Sequence, residues 1–238
     1  WVYPHVLCKN RVLKVRLRLC EVIDLNGASM MQQGEAMSNP AVLLLPSMLA
    51  GATGDVRLPL VWFAYGRPEN VHGIESAAHS IEILSQAEYV VCGRPSELTA
   101  AGLYVAAQLK TVGVKVYGYI AMGADSIPEL PSVSSLKTAV DNVASAGWHG
   151  VFLDRFGYDY HETRPRQNEI VEYAHLKGLS VFANSWNIDY ALGSAIDVEH
   201  NPDGAPTLLG ASDWYLLESF YCYSAGYRTW GTALAKYR

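Results

Sequence analysis

The sequence predicts an α/β barrel of the (β/α)8 type, and three observations lead there. Short apolar runs that read as strands alternate with segments of helical spacing, at intervals of roughly 25 to 30 residues, the signature of parallel strands with right-handed crossovers. No GxGxxG follows the first such strand, which leaves a dinucleotide-binding open sheet without support. Polar residues recur at the ends of successive strands, where a barrel would gather them around one mouth and an open sheet would string them along an edge.

The first strand is Leu60 to Tyr65, closed by Gly66. Ser76 to Ala87 follows with Ala77, Ile81 and Leu84 at helical spacing, and Tyr89 to Gly93 is the second strand. Ser96 is placed to cap the next helix, in which Leu98, Ala101, Val105 and Leu109 share a face before Gly113 stops it. Val114 to Ile120 is the third strand. Leu136, Ala139, Val140, Val143 and Ala144 form the next helical stripe, which Gly147 ends, and Gly150 to Asp154 is the fourth strand. Arg164 to Lys177 is helical, with Thr163 as its cap, Pro165 in the first turn and Gly178 at the stop. Ser180 to Ala183 is the fifth strand, and Asp213 to Leu217, after a polar loop containing Asn201-Pro202-Asp203-Gly204, is the sixth. Only residues 218–238 follow, so the barrel is expected to be truncated after its sixth strand, with its first and sixth strands as unpaired edges.

Residues 1–36 read differently. Lys9, Arg11, Lys14, Arg16 and Arg18 make this stretch basic and it lacks regular periodicity, whereas orderly text begins at Met37. The expectation is a non-domain or mis-included segment over 1–36, packing little against an incomplete barrel domain over 37–238. Ala41 to Leu45 and Ala50-Gly51-Ala52 faintly resemble a signal peptide, but Pro46 interrupts the apolar run and no positive charge sits between Met37 and Ala41, so compartment is left open.

Composition narrows the function classes. With 238 residues, half of them apolar, the chain can bury one sizeable core. A net charge of -5 argues against nucleic acid, and no apolar run approaches the roughly 18 residues of a membrane span. Cys8, Cys20, Cys92 and Cys222 lie far apart with no CxxC, the pattern of isolated thiols. His161, His175 and His200 share no metal-ligand spacing, so neither metal nor cofactor is expected.

The chemistry concentrates in "GVFLDRFGYDY". Asp154 ends an apolar strand, Asn184 follows another, and Glu218 follows the sixth. Two carboxyl groups beside an amide suit glycoside cleavage: one acid protonates the leaving oxygen, the other attacks the anomeric carbon or activates water, and the amide holds a sugar substituent. The competing reading for Asp154 is a loop-fixing ion pair with Arg155, Arg164 or Arg166. Tyr65, Tyr119, Tyr158 and Trp186 lie near strand ends and are the expected sugar platforms, whereas Trp62 and Trp214 read as core or barrel wall.

"GVFLDRFGYDY", "RPRQNEIVEYAHLKGLSVFANSW" and "DWYLLESF" resemble the spherulin-4-like barrels and the related glycoside hydrolase family 114, the endo-α-1,4-polygalactosaminidases. The resemblance covers roughly residues 60 to 220 and implies a (β/α)8 barrel acting on α-linked galactosamine or N-acetylgalactosamine polymers. It further implies that Asp154, Asn184 and Glu218 match an Asp, Asn and Glu lining the groove. The expectation is then a cofactor-free glycoside hydrolase with a polysaccharide or oligosaccharide substrate. Asp154 would be nucleophile or electrostatic stabiliser and Glu218 general acid/base, while Asn184, Tyr65, Tyr119, Tyr158, Asp159 and Trp186 would bind substrate. The substrate class makes an extracellular location plausible. The alternative is a non-catalytic carbohydrate-binding barrel.

Overall fold

The computed structural model describes residues 60–217 and, as backbone, the strands Arg11–Val15 (β1) and Leu19–Ile23 (β2). Six parallel strands carry the fold: Leu60–Ala64 (β3), Tyr89–Cys92 (β6), Lys115–Ala121 (β7), Gly150–Asp154 (β8), Ser180–Asn184 (β9) and Trp214–Leu217 (β10). Between β3 and β6 lie a small hairpin, Asn70–Val71 (β4) with Ile74–Glu75 (β5), and helix Ala77–Leu84 (α1). Helices Ala100–Thr111 (α2), Val133–Ser145 (α3) and Arg164–Leu176 (α4) follow the next three strands, and a short helix, Ile188–Leu192 (α5), follows β9. The sheet curls, and the β1–β2 hairpin spans its two edges: β1 runs antiparallel to β3 and β2 parallel to β10, so the strands close into a ring.

This corrects the expected separation of residues 1–36 from the domain. Val12, Leu13 and Val15 in β1 and Leu19, Val22 and Ile23 in β2 are strand-forming residues, and a sheet with two open edges offers such segments their backbone partners. The edges expected to stand unpaired, β3 and β10, are covered by this hairpin. The signal-like stretch at residues 41–52 lies outside the described residues.

Two cores follow from strand alternation. Side chains of one parity, Val61, Tyr89, Val91, Tyr117, Phe152, Phe182, Trp214 and Leu216, fill the barrel interior, where Phe152 and Phe182 meet edge to face at 5.0 Å. The other parity, including Val90, Val116, Ile120, Val151, Leu153, Val181 and Tyr215, packs beneath the helices. Trp214 therefore belongs to the barrel interior and Trp62 to the outer layer, as their positions implied. Gly118 lets α3 sit directly on β7, for a Cβ there would lie 2.4 Å from Val143 Cγ2.

The helix termini follow local chemistry. Thr163 caps α4 by accepting from the Arg166 amide, with Pro165 in the first turn, and Gly147 and Gly178 take positive φ just past α3 and α4. The cap of α2 is Thr99, not Ser96: the Thr99 hydroxyl accepts from the Gly102 amide and donates to Glu69, which leaves Leu98 outside the helix and buried. Cys92 is a free, fully buried thiol, pushed by that burial to about 12. Among the described residues no helix is long and apolar enough to cross a membrane.

Candidate functional site

Alternation along the strands also builds the mouth. Tyr117, Phe152 and Phe182 point into the barrel, so the residues two further on, Tyr119, Asp154 and Asn184, share that face at the carboxyl ends of β7, β8 and β9. They meet. The Tyr119 hydroxyl donates to Asp154 Oδ2 at 2.7 Å, and Asn184 Nδ2 donates to Asp154 Oδ1 at 2.8 Å. Burial and the Asp154 carboxylate raise the Tyr119 phenol well above its ordinary range, so it remains a donor. Asp154 thus carries one hydrogen bond on each oxygen and is fixed in orientation at a barrel mouth, where carboxylates of this fold perform chemistry.

The arginines expected to compete for Asp154 all point elsewhere. Arg155 takes a left-handed backbone (φ 56°), pairs with Asp125 at 3.2 Å and lies over the Tyr160 ring at 5.3 Å. Arg164 is fully buried and donates to the carbonyls of Ala191 and Gly193, each at 2.8 Å. Arg166 pairs with Glu162 at 3.0 Å. The described loop-fixing contacts of these arginines do not include Asp154.

Aromatic side chains frame the mouth. Tyr65 is half-exposed at 53% and meets Tyr119 edge to face at 5.4 Å, while Tyr119 stacks on Phe152. Trp186 is equally exposed, at 54%, and its Nε1 donates to the Tyr160 hydroxyl at 3.0 Å. Asp159 is exposed, yet its carboxyl end folds back over Gly157, where a Cβ would lie 2.1 Å from its Oδ1 and 3.1 Å from Ser185 Cβ. Burial of that end raises its pKa above the usual carboxylate range. Neighbouring loops lock together: the amides of Met122, Ala124 and Phe156 donate to the carbonyls of Asp154, Tyr160 and Asn184.

Tyr158, also expected as a platform, is turned away from the mouth. Its ring is buried and stacked with Tyr190 at 4.8 Å and His200 at 5.0 Å, with the Arg164 guanidinium over it at 5.8 Å, so it is not open to a sugar in the mouth. The reason is local. The 3-10 turn Tyr158–Tyr160 sends consecutive side chains to different sides, and Tyr158 turns toward α5 while Asp159 leans over Gly157 toward Ser185. Glu218 lies outside the described residues.

Several charged residues escape a reading based on strand-end residues alone. Arg94 follows Gly93 directly after β6, is partly buried and pairs with Glu97. The polar run Arg94 to Glu97 immediately after a strand was the available signal. Glu162 is fully buried beside Arg166, and desolvation outweighs that pairing to raise its pKa to about 7. Nothing in the sequence marks it, because its burial comes from the loop after β7, whose Pro131 and Met122 carbonyls accept from Arg166. His175 pairs with buried Asp213 at 2.9 Å, at the opposite end of the barrel from the mouth. Among the described residues no three His, Cys, Asp or Glu side chains converge as metal ligands would.

No family model matches the chain, and no curated protein matches it. Solved structures match part of it. One is a beta-arabinopyranosidase, at 17% identity over 55% of this chain and 23% of that one, with a TM-score of 0.38. A D-allulose 3-epimerase from Methylomonas sp., in complex with D-allulose, shares 13% identity over 52% of this chain and 51% of that one, with a TM-score of 0.34. A D-psicose 3-epimerase from Clostridium cellulolyticum H10, with D-tagatose, shares 10% over 54% and 53%, with a TM-score of 0.36. The chain thus spans less than a quarter of the first protein and about half of each epimerase. At such identities and scores the likeness carries no argument about activity, which rests on the geometry above.

Proposed function

We propose that this protein is a cofactor-independent glycoside hydrolase on a (β/α)8-type scaffold, acting on an α-linked galactosamine or N-acetylgalactosamine polysaccharide. The observation that carries the reading is Asp154 at the end of β8, oriented by hydrogen bonds from Tyr119 and Asn184 beneath the exposed rings of Tyr65 and Trp186. Asp154 acts as nucleophile or electrostatic stabiliser at the anomeric carbon. Glu218, the residue after Leu217 in β10, acts as general acid and then base. Asn184 and the rim residues Tyr65, Trp186 and Asp159 position the sugar, and Tyr119 orients the nucleophile. The resemblance of the sequence to spherulin-4-like and family 114 barrels supports the sugar class.

The reaction outcome depends on the spacing of the two carboxyl groups. About 5 to 5.5 Å gives retention through a glycosyl-enzyme, and about 6.5 to 9.5 Å gives inversion through a held water. Retention is the expected outcome, because both oxygens of Asp154 are held for attack and leave no slack for a water-activating base. The test is hydrolysis of polygalactosamine by the protein, its Asp154→Asn variant and its Glu218→Gln variant. Each substitution should lower turnover by orders of magnitude while polymer binding persists, and azide should rescue Glu218→Gln on an activated substrate with retained configuration. Near-full activity in either variant defeats the assignment. Binding without hydrolysis by the unaltered protein defeats the enzyme reading in favour of a carbohydrate-binding barrel, which the existing partners on both Asp154 oxygens would also suit.

A further inference from the structure

The loops that follow β7, β8 and β9 meet on one residue, Tyr160. From the first, Gly123 lies so close that an added Cβ would fall 2.5 Å from Tyr160 Cβ, and the Ala124 amide donates to the Tyr160 carbonyl at 3.2 Å. From the second, the Arg155 guanidinium lies over the Tyr160 ring at 5.3 Å and is itself paired with Asp125. From the third, Trp186 donates its indole N–H to the Tyr160 hydroxyl at 3.0 Å. Backbone and ring of Tyr160 are thus held from separate sides, and its hydroxyl is offered as an acceptor at a set place.

Trp186 needs such an anchor. Its ring is 54% exposed, and an exposed side chain samples several rotamers unless a contact selects one. Its backbone is already held at Ser185, the buried residue before it. The Ser185 carbonyl accepts from the Tyr215 hydroxyl at 2.6 Å, and the Ser185 hydroxyl donates to the Asn187 carbonyl at 2.9 Å. The indole N–H is the polar handle of Trp186, and its bond to Tyr160 fixes the ring's direction through its edge, not its faces. A platform set in place before binding avoids the ordering cost that a mobile side chain imposes.

We infer that Tyr160 is a positioning residue of the mouth, holding Trp186 as a preset stacking platform for a ring of the polysaccharide. The inference rests on the carbohydrate reading of the mouth. Tyr160→Phe keeps the ring under Arg155 and against Gly123, and removes the acceptor for Trp186. Steady-state kinetics of the full chain on polygalactosamine should show KM raised about three- to tenfold, the ordering cost of one side chain. The change in kcat should stay below about twofold, because Asp154 keeps its hydrogen bonds from Tyr119 and Asn184. Trp186→Phe, which lacks the N–H, should raise KM at least as far. Adding Tyr160→Phe to it should raise KM no further, as expected of a residue that acts through the indole. An unchanged KM, a fall in kcat matching the rise in KM, or additive effects of the two substitutions each overturns the inference. If the unaltered protein binds polygalactosamine without cleaving it, the hydrolase reading falls and the same ratios, read as Kd by calorimetry, decide this one. No binding of the polymer defeats both.

Discussion

Tyr119 shows how one hydroxyl turns a carboxylate into an oriented one. Hydrogen bonds to a charged group contribute about 1.5 to 3 kcal/mol, so Tyr119→Phe should lower turnover by roughly 10- to 100-fold. It should act mainly on kcat, because Asp154 would keep its charge and its Asn184 bond and lose only its second anchor. Steady-state kinetics with a pH profile check this: an unchanged kcat would make the contact incidental. Glu162 makes a different prediction at the same scale. Its carboxyl titrates at about 7 in the folded protein against 4.5 for the free side chain, so between these values the folded state binds the extra proton. Its contribution to stability is full below 4.5 and declines as pH rises through 7. Urea unfolding of Glu162→Gln from pH 4.5 to 8 should show a flatter pH dependence than the parent, and identical slopes would count against the assignment.

At the scale of elements, close approach of helix to strand sets the tolerances. A methyl group at Gly118 would meet Val143 at 2.4 Å, so α3 must shift outward from β7 to admit it. Gly118→Ala should therefore destabilise by about 1 to 3 kcal/mol despite the better strand propensity of alanine. Combining it with Val143→Ala should recover part of that loss, a coupling that a double-mutant cycle by chemical denaturation measures. Gly123 sets a similar limit at the mouth, where an added Cβ would lie 2.5 Å from the Arg155 carbonyl and 2.6 Å from that of Tyr160. Those neighbours are backbone, and their displacement would move the loop that follows Asp154 and carries Asp159.

For the whole molecule, the decisive feature is the β1–β2 hairpin across the edges of a six-strand parallel sheet. Removing residues 1–23 should expose the backbone groups of β3 and β10, and open edges recruit other chains. The shortened protein should have a lower Tm and form oligomers in light scattering. A monomer of unchanged Tm would show that the hairpin contributes nothing to closure.

The sequence by itself determined the strand and helix alternation, the caps and glycine stops of α4, and the period-2 parity that sends Tyr119, Asp154 and Asn184 to one mouth. These are local properties, written in residue spacing and turn chemistry. Tertiary structure alone decided the rest. The pairing of a basic N-terminal stretch with two sheet edges joins residues far apart in the chain, and no local pattern states that such edges exist. The placement of Tyr158 depends on a 3-10 turn and on the rings of Tyr190 and His200 stacking with it, contacts that strand-end reasoning has no means to count. The partners of Arg155, Arg164 and Arg166 were likewise open in the sequence, because a guanidinium on a long side chain reaches many acceptors and only the packed loops select among them.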